Sequence, residues 1–141
     1  MLDNKQEKIV FTNGCFDIVH VGHLHLLNEA KKLGDKLIVG LNSDSSVKRL
    51  KGAGRPVNNE VDRKFFLENL KSVDQVEIFS EDTPLELIKK INPNILVKGG
   101  DWPIEKIVGS EYVISNGGKA MSLVFKEGHS TTKIIEKLKS K

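Results

Sequence analysis

The sequence predicts an α/β fold, an open and mostly parallel five-stranded sheet with helices on both faces. Short apolar runs alternate with stretches of helical spacing along the whole chain. Such alternation requires crossover connections and therefore parallel strands. The run KLIVGL at 36–41 shows no polar alternation, so both of its faces should be covered. The Gly-, His-, Lys- and Asp-rich segments 14–23, 42–57 and 99–102 follow the first, second and fourth apolar runs. Open sheets of this kind bind ligands at those carboxyl ends.

Residues 8–13 (KIVFTN) form the first expected strand, ending on Asn-Gly as a turn. A helix is expected over 23–33, with Leu24, Leu27, Ala30 and Lys31 at helical spacing and Gly34 as its C-cap. The second strand is 36–41. A second helix, 60–70, carries Val61, Phe65, Phe66, Leu67 and Leu70 as its apolar face. Residues 75–79 form a strand, and 83–91 a helix with Pro84 at its first position, where the missing N–H costs nothing. A strand at 95–98, a helix at 107–116 ending before Gly117-Gly118, a strand at 119–125 and a helix at 130–139 complete the order. The stretch 51–59 (KGAGRPVNN) reads as a loop, so residues 1–141 are expected to form a single domain.

Hydrophobic residues make up 38% and charged residues 29% of the 141, which places the chain outside the disordered class. The formal charge of +3, with Lys133, Lys137, Lys139 and Lys141 near the end, is too weak to indicate a nucleic-acid partner. A single cysteine, Cys15, excludes an intramolecular disulfide. No apolar stretch approaches the roughly 18 residues of a membrane span. The first residues, MLDNKQEK, lack the apolar run of a signal peptide. A cytoplasmic protein without a membrane partner is expected.

The strongest local signal is Asn13-Gly14-Cys15-Phe16-Asp17-Ile18-Val19-His20-Val21-Gly22-His23, which leaves a buried strand and enters a helix near His23. Two imidazoles at a helix N-terminus suit phosphate oxygens, because unpaired backbone N–H groups and the helix dipole favour negative charge there. Gly22 would admit the phosphates close to the backbone. Each imidazole can direct an N–H at charge developing on phosphorus. Zinc binding by the pair would need a third ligand and usually i, i+4 spacing, whereas the spacing here is three. Two ordinary surface histidines are the remaining alternative. Asp17 could cap the following helix, Cys15 reads as a small buried apolar residue, and His25 as a surface group. No G-x-x-x-x-G-K-[ST] is present, and Gly52-Ala53-Gly54 has Val57 where a third glycine would fall.

The segment Gly14-Cys15-Phe16-Asp17 followed by His20-Val21-Gly22-His23 resembles the H-x-G-H signature of the cytidylyltransferase-like superfamily of nucleotidyltransferases. Glu127-Gly128-His129-Ser130-Thr131-Thr132-Lys133-Ile134 is similar to its second signature, with His129 where glycerol-phosphate relatives usually carry a small apolar residue. Asn42-Ser43-Asp44, Val47-Lys48-Arg49-Leu50-Lys51-Gly52, Arg55-Pro56-Val57-Asn58 and Leu96-Val97-Lys98-Gly99-Gly100-Asp101 look like the adenylyltransferase half of the bifunctional ADP-heptose synthases. The resemblance covers residues 8–138. It implies a Rossmann-like sheet and transfer of AMP from ATP to D-glycero-β-D-manno-heptose 1-phosphate, for lipopolysaccharide or another surface glycan. A homodimer and a separate sugar kinase upstream are also implied.

On this resemblance His20, His23 and Lys51 are the expected catalytic residues. Asn13, Gly14, Cys15, Phe16, Gly22, Lys98, Gly100, Asp101, Ser130, Thr131 and Thr132 would bind the nucleotide. Asp17, Asn42, Asp44, Arg55 and Arg63 would bind the acceptor, with Asp17 alternatively meeting the metal. Surface charge is the alternative for Lys51 and Arg55, a surface ion pair for Arg63, and helix capping for the three hydroxyl residues. Mg²⁺ is expected to arrive bound mostly through substrate phosphates, without a dedicated protein cage. Two other functions fit the residues: a cytidylyltransferase acting on glycerol 3-phosphate or another phospho-alcohol, and a nucleotide-binding regulatory module without catalysis.

Overall fold

The computed structural model describes residues 7–124 and Leu138. Its strands are β1 (Ile9–Gly14), β2 (Lys36–Asn42), β3 (Gln75–Phe79), β4 (Ile95–Gly99) and β5 (Lys119–Leu123), all parallel, in the order β3-β2-β1-β4-β5. The helices are α1 (Val21–Lys31), α2 (Asp44–Lys51), α3 (Glu60–Glu68), α4 (Leu85–Ile91) and α5 (Ser110–Ser115), with a single 3-10 turn at Ile104–Lys106. The expected α/β class and five parallel strands are thus observed.

Alternation along each central strand builds two cores. Val10, Leu37, Val39, Leu41, Ile95 and Val97 face Leu26, Leu27 and Ala30 of α1 and Leu67 of α3. Their neighbours Phe11, Ile38 and Leu96 face the other way, against Ile88 of α4 and Val113 of α5. These side chains are almost completely removed from water, and each contributes roughly 1.5–3 kcal/mol through burial. Gly40 makes room in the second layer: a Cβ there would lie 2.6 Å from Cζ of Phe11.

Several helical expectations are corrected. The first helix begins at Val21, not His23, and the chain leaves it through Lys32, so Gly34 is not its cap. Gly34 instead lies where a Cβ would meet the Lys8 carbonyl at 2.7 Å. Segment 42–57 holds the helix α2, which places Lys51 on a helical last turn rather than in a loop. On α3 only Leu67 of the expected apolar face is fully buried; Val61, Phe65 and Phe66 are 70%, 69% and 51% exposed. Pro84 precedes α4 as its N-cap residue. The expected helix at 107–116 is shortened to Ser110–Ser115 because Gly109 stands at φ +89. The expected helix at 130–139, apart from Leu138, lies outside the described residues. Among the described residues no helix is long and apolar enough to cross a membrane.

β1 lies at the centre, with β2 and β3 on one side and β4 and β5 on the other. Chain order reverses there, so the carboxyl ends of β1 and β4 flank a crevice. The Thr12 hydroxyl donates to the Val97 carbonyl at 2.9 Å and ties the two strands just below it.

Candidate active site

A cleft of about 660 Å³ opens over this crevice, lined by the residues leaving β1, by the start of α1, by the end of α2 and by the segment after β4. Phe16 turns the chain with φ +45, and its ring lies so close to Gly14 that a Cβ there would stand 3.0 Å from it. The same buried ring packs against His23, with centroids 5.2 Å apart.

His20 has extended backbone and caps α1, while His23 sits in the first turn. Nδ1 of His20 accepts from the Gly22 N–H at 3.0 Å, and Nδ1 of His23 accepts from the His20 N–H at 3.2 Å. Because both Nδ1 atoms accept, the proton of each neutral ring belongs on Nε2. The rings are 4.0 Å apart. Burial, and then the charge of His20, pull the His23 pKa from 6.5 to about 4, so that ring is neutral at pH 7. The sequence expectation that helix N–H groups remain unpaired is corrected at Gly22, whose N–H is spent on His20. Gly22 itself is buried beneath the cleft and does not line it.

The cleft wall is cationic. Lys51, Arg55 and Lys98 line it together with the two histidines, and Asp17 is its sole carboxylate among the described residues. Burial depresses the Lys98 ammonium, and the charge of Lys51 adds to this. An anion between the two lysines would relieve that repulsion. The Cys15 thiol is pushed up by burial, which outweighs Lys51, Arg63 and Arg55, so it remains protonated in the wall.

Asp17 is buried, and its carboxylate accepts from the Val57 and Asn58 N–H groups and from Nε of Arg55 at 2.7 Å. Burial alone would raise its pKa; the bonds from Asn58, Val57 and Arg55 prevail and lower it. It therefore holds the 55–58 segment against the β1 exit, and the helix-cap role belongs to His20. Arg63, expected to bind the acceptor or to form a surface ion pair, is a buried brace, 2% exposed, and does not line the cleft. Its Nη1 donates to the carbonyls of Cys15 and Asn42, its Nε to that of Asn58, and its Nη2 to the Asp44 carboxylate at 2.7 Å. These bonds join three segments of the rim.

Of the residues singled out in the sequence, Asn13, Gly14, Cys15, Phe16, Asp17, His20, His23, Asn42, Lys51, Arg55, Lys98 and Gly100 meet at the cleft. Asn42 there donates to the Ser46 hydroxyl at 2.9 Å. Gly22, Asp44, Arg63 and Asp101 do not line it. Ser130, Thr131 and Thr132 lie outside the described residues. Leu26 and Leu50 also line the cleft without an assigned role, and Gly99 and Trp102 line it from the 99–102 segment expected there; Trp102, the only tryptophan in the chain, carried a compositional signal.

A family model described as cytidylyltransferase-like matches residues 11–137. The chain belongs to that family. The cytidylyltransferase-like domain is 57% identical over 141 residues to the bifunctional protein HldE of Campylobacter jejuni subsp. doylei, covering 100% of this chain and 30% of the relative. It is 56% identical over 131 residues to the bifunctional protein HldE of Marinomonas sp., covering 93% of this chain and 28% of that one. The chain thus spans less than a third of the length of these curated relatives. A crystal structure of the lipopolysaccharide core biosynthesis protein from Thermoplasma volcanium superposes with a TM-score of 0.70 at 28% identity, covering 88% of this chain and 100% of that one. A bifunctional NMN adenylyltransferase/ADP ribose pyrophosphatase from Francisella tularensis, at 19% identity and a TM-score of 0.64, shares the fold, over 96% of this chain and 43% of that one. The resemblance to the cytidylyltransferase-like family read from the sequence is borne out.

Proposed function

We propose that the domain transfers AMP from ATP to D-glycero-β-D-manno-heptose 1-phosphate, releasing pyrophosphate and forming ADP-heptose for surface-glycan synthesis. The observation that carries the reaction type is the pair of imidazoles at the α1 N-terminus, each accepting an N–H at Nδ1, set in a cleft with Lys51, Arg55 and Lys98. The choice of ATP and heptose is supported by the loop segments shared with ADP-heptose synthases and by the HldE relatives. In this reading an oxygen of the acceptor phosphate attacks the α-phosphorus. The bond from that phosphorus to the bridging oxygen breaks, and pyrophosphate carries the electron pair away.

No covalent bond to the protein is needed, so catalysis rests on positioning and on charge stabilisation. His20 and His23 donate from Nε2 to the α-phosphate as its equatorial oxygens gain charge. His23 is suited to this because it keeps one fixed proton at neutral pH. Lys98 and Lys51 neutralise the triphosphate. Arg55, braced by Asp17, faces the acceptor phosphate with its remaining donors. Ser130, Thr131 and Thr132 are assigned to the β- and γ-phosphates on the resemblance.

Mg²⁺ fits only as a passenger of the triphosphate. Among the described residues no group of three His, Cys, Asp or Glu side chains is placed to hold a metal, and Asp17 is committed to N–H donors. When bound, the ion shields phosphate charge. The reading places the reaction in the cytoplasm, downstream of a kinase that phosphorylates the sugar. It also includes a homodimer, for which the exposed Val61, Phe65 and Phe66 offer an apolar face.

The test is pyrophosphate release with Mg²⁺, pairing ATP or CTP with heptose 1-phosphates, glycerol 3-phosphate and phosphocholine. Release with ATP and the β-heptose 1-phosphate alone is expected. Release only with CTP would overturn the donor and acceptor assignment, and silence with every pair would overturn the transferase reading.

A further inference from the structure

Trp102 is unexplained by the cation cluster. It follows β4, is 46% exposed, and lines the same cleft as His20 and His23. An indole left half in water at a cleft mouth is an unusual use of a large apolar surface. Its position is also constrained. Gly100 stands at φ +110, and a Cβ on it would lie 2.9 Å from the indole Nε1, so the ring can occupy this place only because residue 100 has no side chain. The Lys98 ammonium stands 5.3 Å from the ring centroid, within the range of a cation–π contact. The cleft-lining lysine and the indole face are therefore adjacent.

The two ends of the cleft differ in chemistry. Arg55, beside Asp17 and past the end of α2, lies on the β2 side with the acceptor phosphate assigned to it, while Lys51 shares the triphosphate with Lys98. The β4 side offers one cation and a flat aromatic surface. In-line transfer sets the acceptor oxygen opposite the departing pyrophosphate, with the nucleoside oxygen among the equatorial ligands of the α-phosphorus. The β4 side, where Trp102 lines the cleft beside Lys98, offers the flat surface that suits the nucleoside, whose uncharged heterocycle is the ligand part that an indole recognises.

Resting on the proposed nucleotidyl-transfer reading, we infer that Trp102 is the base platform, stacking on the heterocycle of the nucleoside triphosphate while Lys98 beside it meets the phosphates. Base–aromatic stacking tolerates different bases because every base has a π-face. Trp102 therefore supplies donor affinity, and discrimination between adenine and cytosine comes from hydrogen-bonding groups elsewhere.

Trp102 is the sole tryptophan, so the intrinsic emission of the full chain reports on this ring alone. The emission is titrated with ATP, with inorganic tripolyphosphate, and with the heptose 1-phosphate, while binding is followed by calorimetry. The expected result is a change with ATP and none with tripolyphosphate, although tripolyphosphate binds and competes. Equal changes with both would overturn the inference, because displacement of Lys98 from the ring would then suffice. A change with the sugar phosphate and not with ATP would overturn it in favour of an acceptor platform. ATP binding without any change in emission would overturn the stacking role and leave the nucleotidyl-transfer reading intact. Absence of ATP binding would overturn both. In turnover, Trp102→Ala is expected to raise the KM for ATP about tenfold, in line with the loss of one stacked base. Trp102→Phe recovers much of it, and kcat and the acceptor KM stay near their original values. An increase confined to the acceptor KM would contradict the assignment.

Discussion

His23 is expected to stay uncharged through the whole range in which an ordinary histidine titrates. Its ring lies against Phe16 and His20, and burial, followed by the charge of His20, brings its pKa to about 4 from 6.5. In the unfolded chain the same imidazole takes up a proton near pH 6.5. Between these values the unfolded state binds more protons, so stability falls as the pH is lowered. The effect is absent above the unfolded value and complete once the pH has passed below the folded one. A displacement of this size corresponds to about 3 kcal/mol, which the partial exposure of the ring reduces to about 2 kcal/mol. Urea unfolding of the wild type and His23→Gln between pH 7 and pH 4 measures it. The wild type is expected to lose that amount relative to the variant, while the NMR titration of the His23 ring shows no midpoint near 6.5. A midpoint near the ordinary value, with parallel stability curves, would refute the reasoning that a half-buried, neutral imidazole serves the site.

Three further outcomes are expected. His20→Ala and His23→Ala should each lower kcat by a factor of roughly 10² or more, the usual cost of a preorganised donor, with a smaller effect on the KM for ATP in steady-state kinetics. Asp17→Asn removes the charge that compensates Arg55 and weakens the acceptor for two backbone N–H groups; chemical denaturation should show a loss of about 2 kcal/mol. Because the Asp17 carboxyl is held below its ordinary value, its contribution is complete above that value and disappears as the pH falls further. Gly40→Ala, forced against Phe11, should cost about 1–3 kcal/mol in the same assay without changing the KM for ATP, as expected for overpacking away from the cleft.

The strands were the most legible part of the sequence. Buried parallel strands are short continuous apolar runs bounded by turn residues, and 75–79 coincides with β3 in full. Helices were less legible where tertiary context decided. The polar sequence DSSVKRLK of α2 buries only Ser46 and Val47, so no apolar stripe announced it. On α3 the opposite held: Phe65 and Phe66 supplied an apolar face that the sheet does not cover. Histidine is not a usual helix cap, which concealed the start of α1 at Val21. The cluster of polar residues at the strand ends was readable, since fold topology assigns ligands there. The occupations of Asp17 and Arg63 were not, because each depends on backbone groups brought from distant loops. Trp102 received no role, although segment 99–102 was placed at the site, because nothing in the spacing shows which side chain a glycine such as Gly100 makes room for.

The central claim concerns which phosphorus is attacked, and label position tests it most directly. ATP carrying a labelled α-phosphate is incubated with the β-heptose 1-phosphate, Mg²⁺ and the full chain, and the products are separated. The account requires the label to appear in a sugar nucleotide while unlabelled pyrophosphate accumulates in equal amount. Label that stays in ADP or free AMP, with no sugar nucleotide formed, would contradict it.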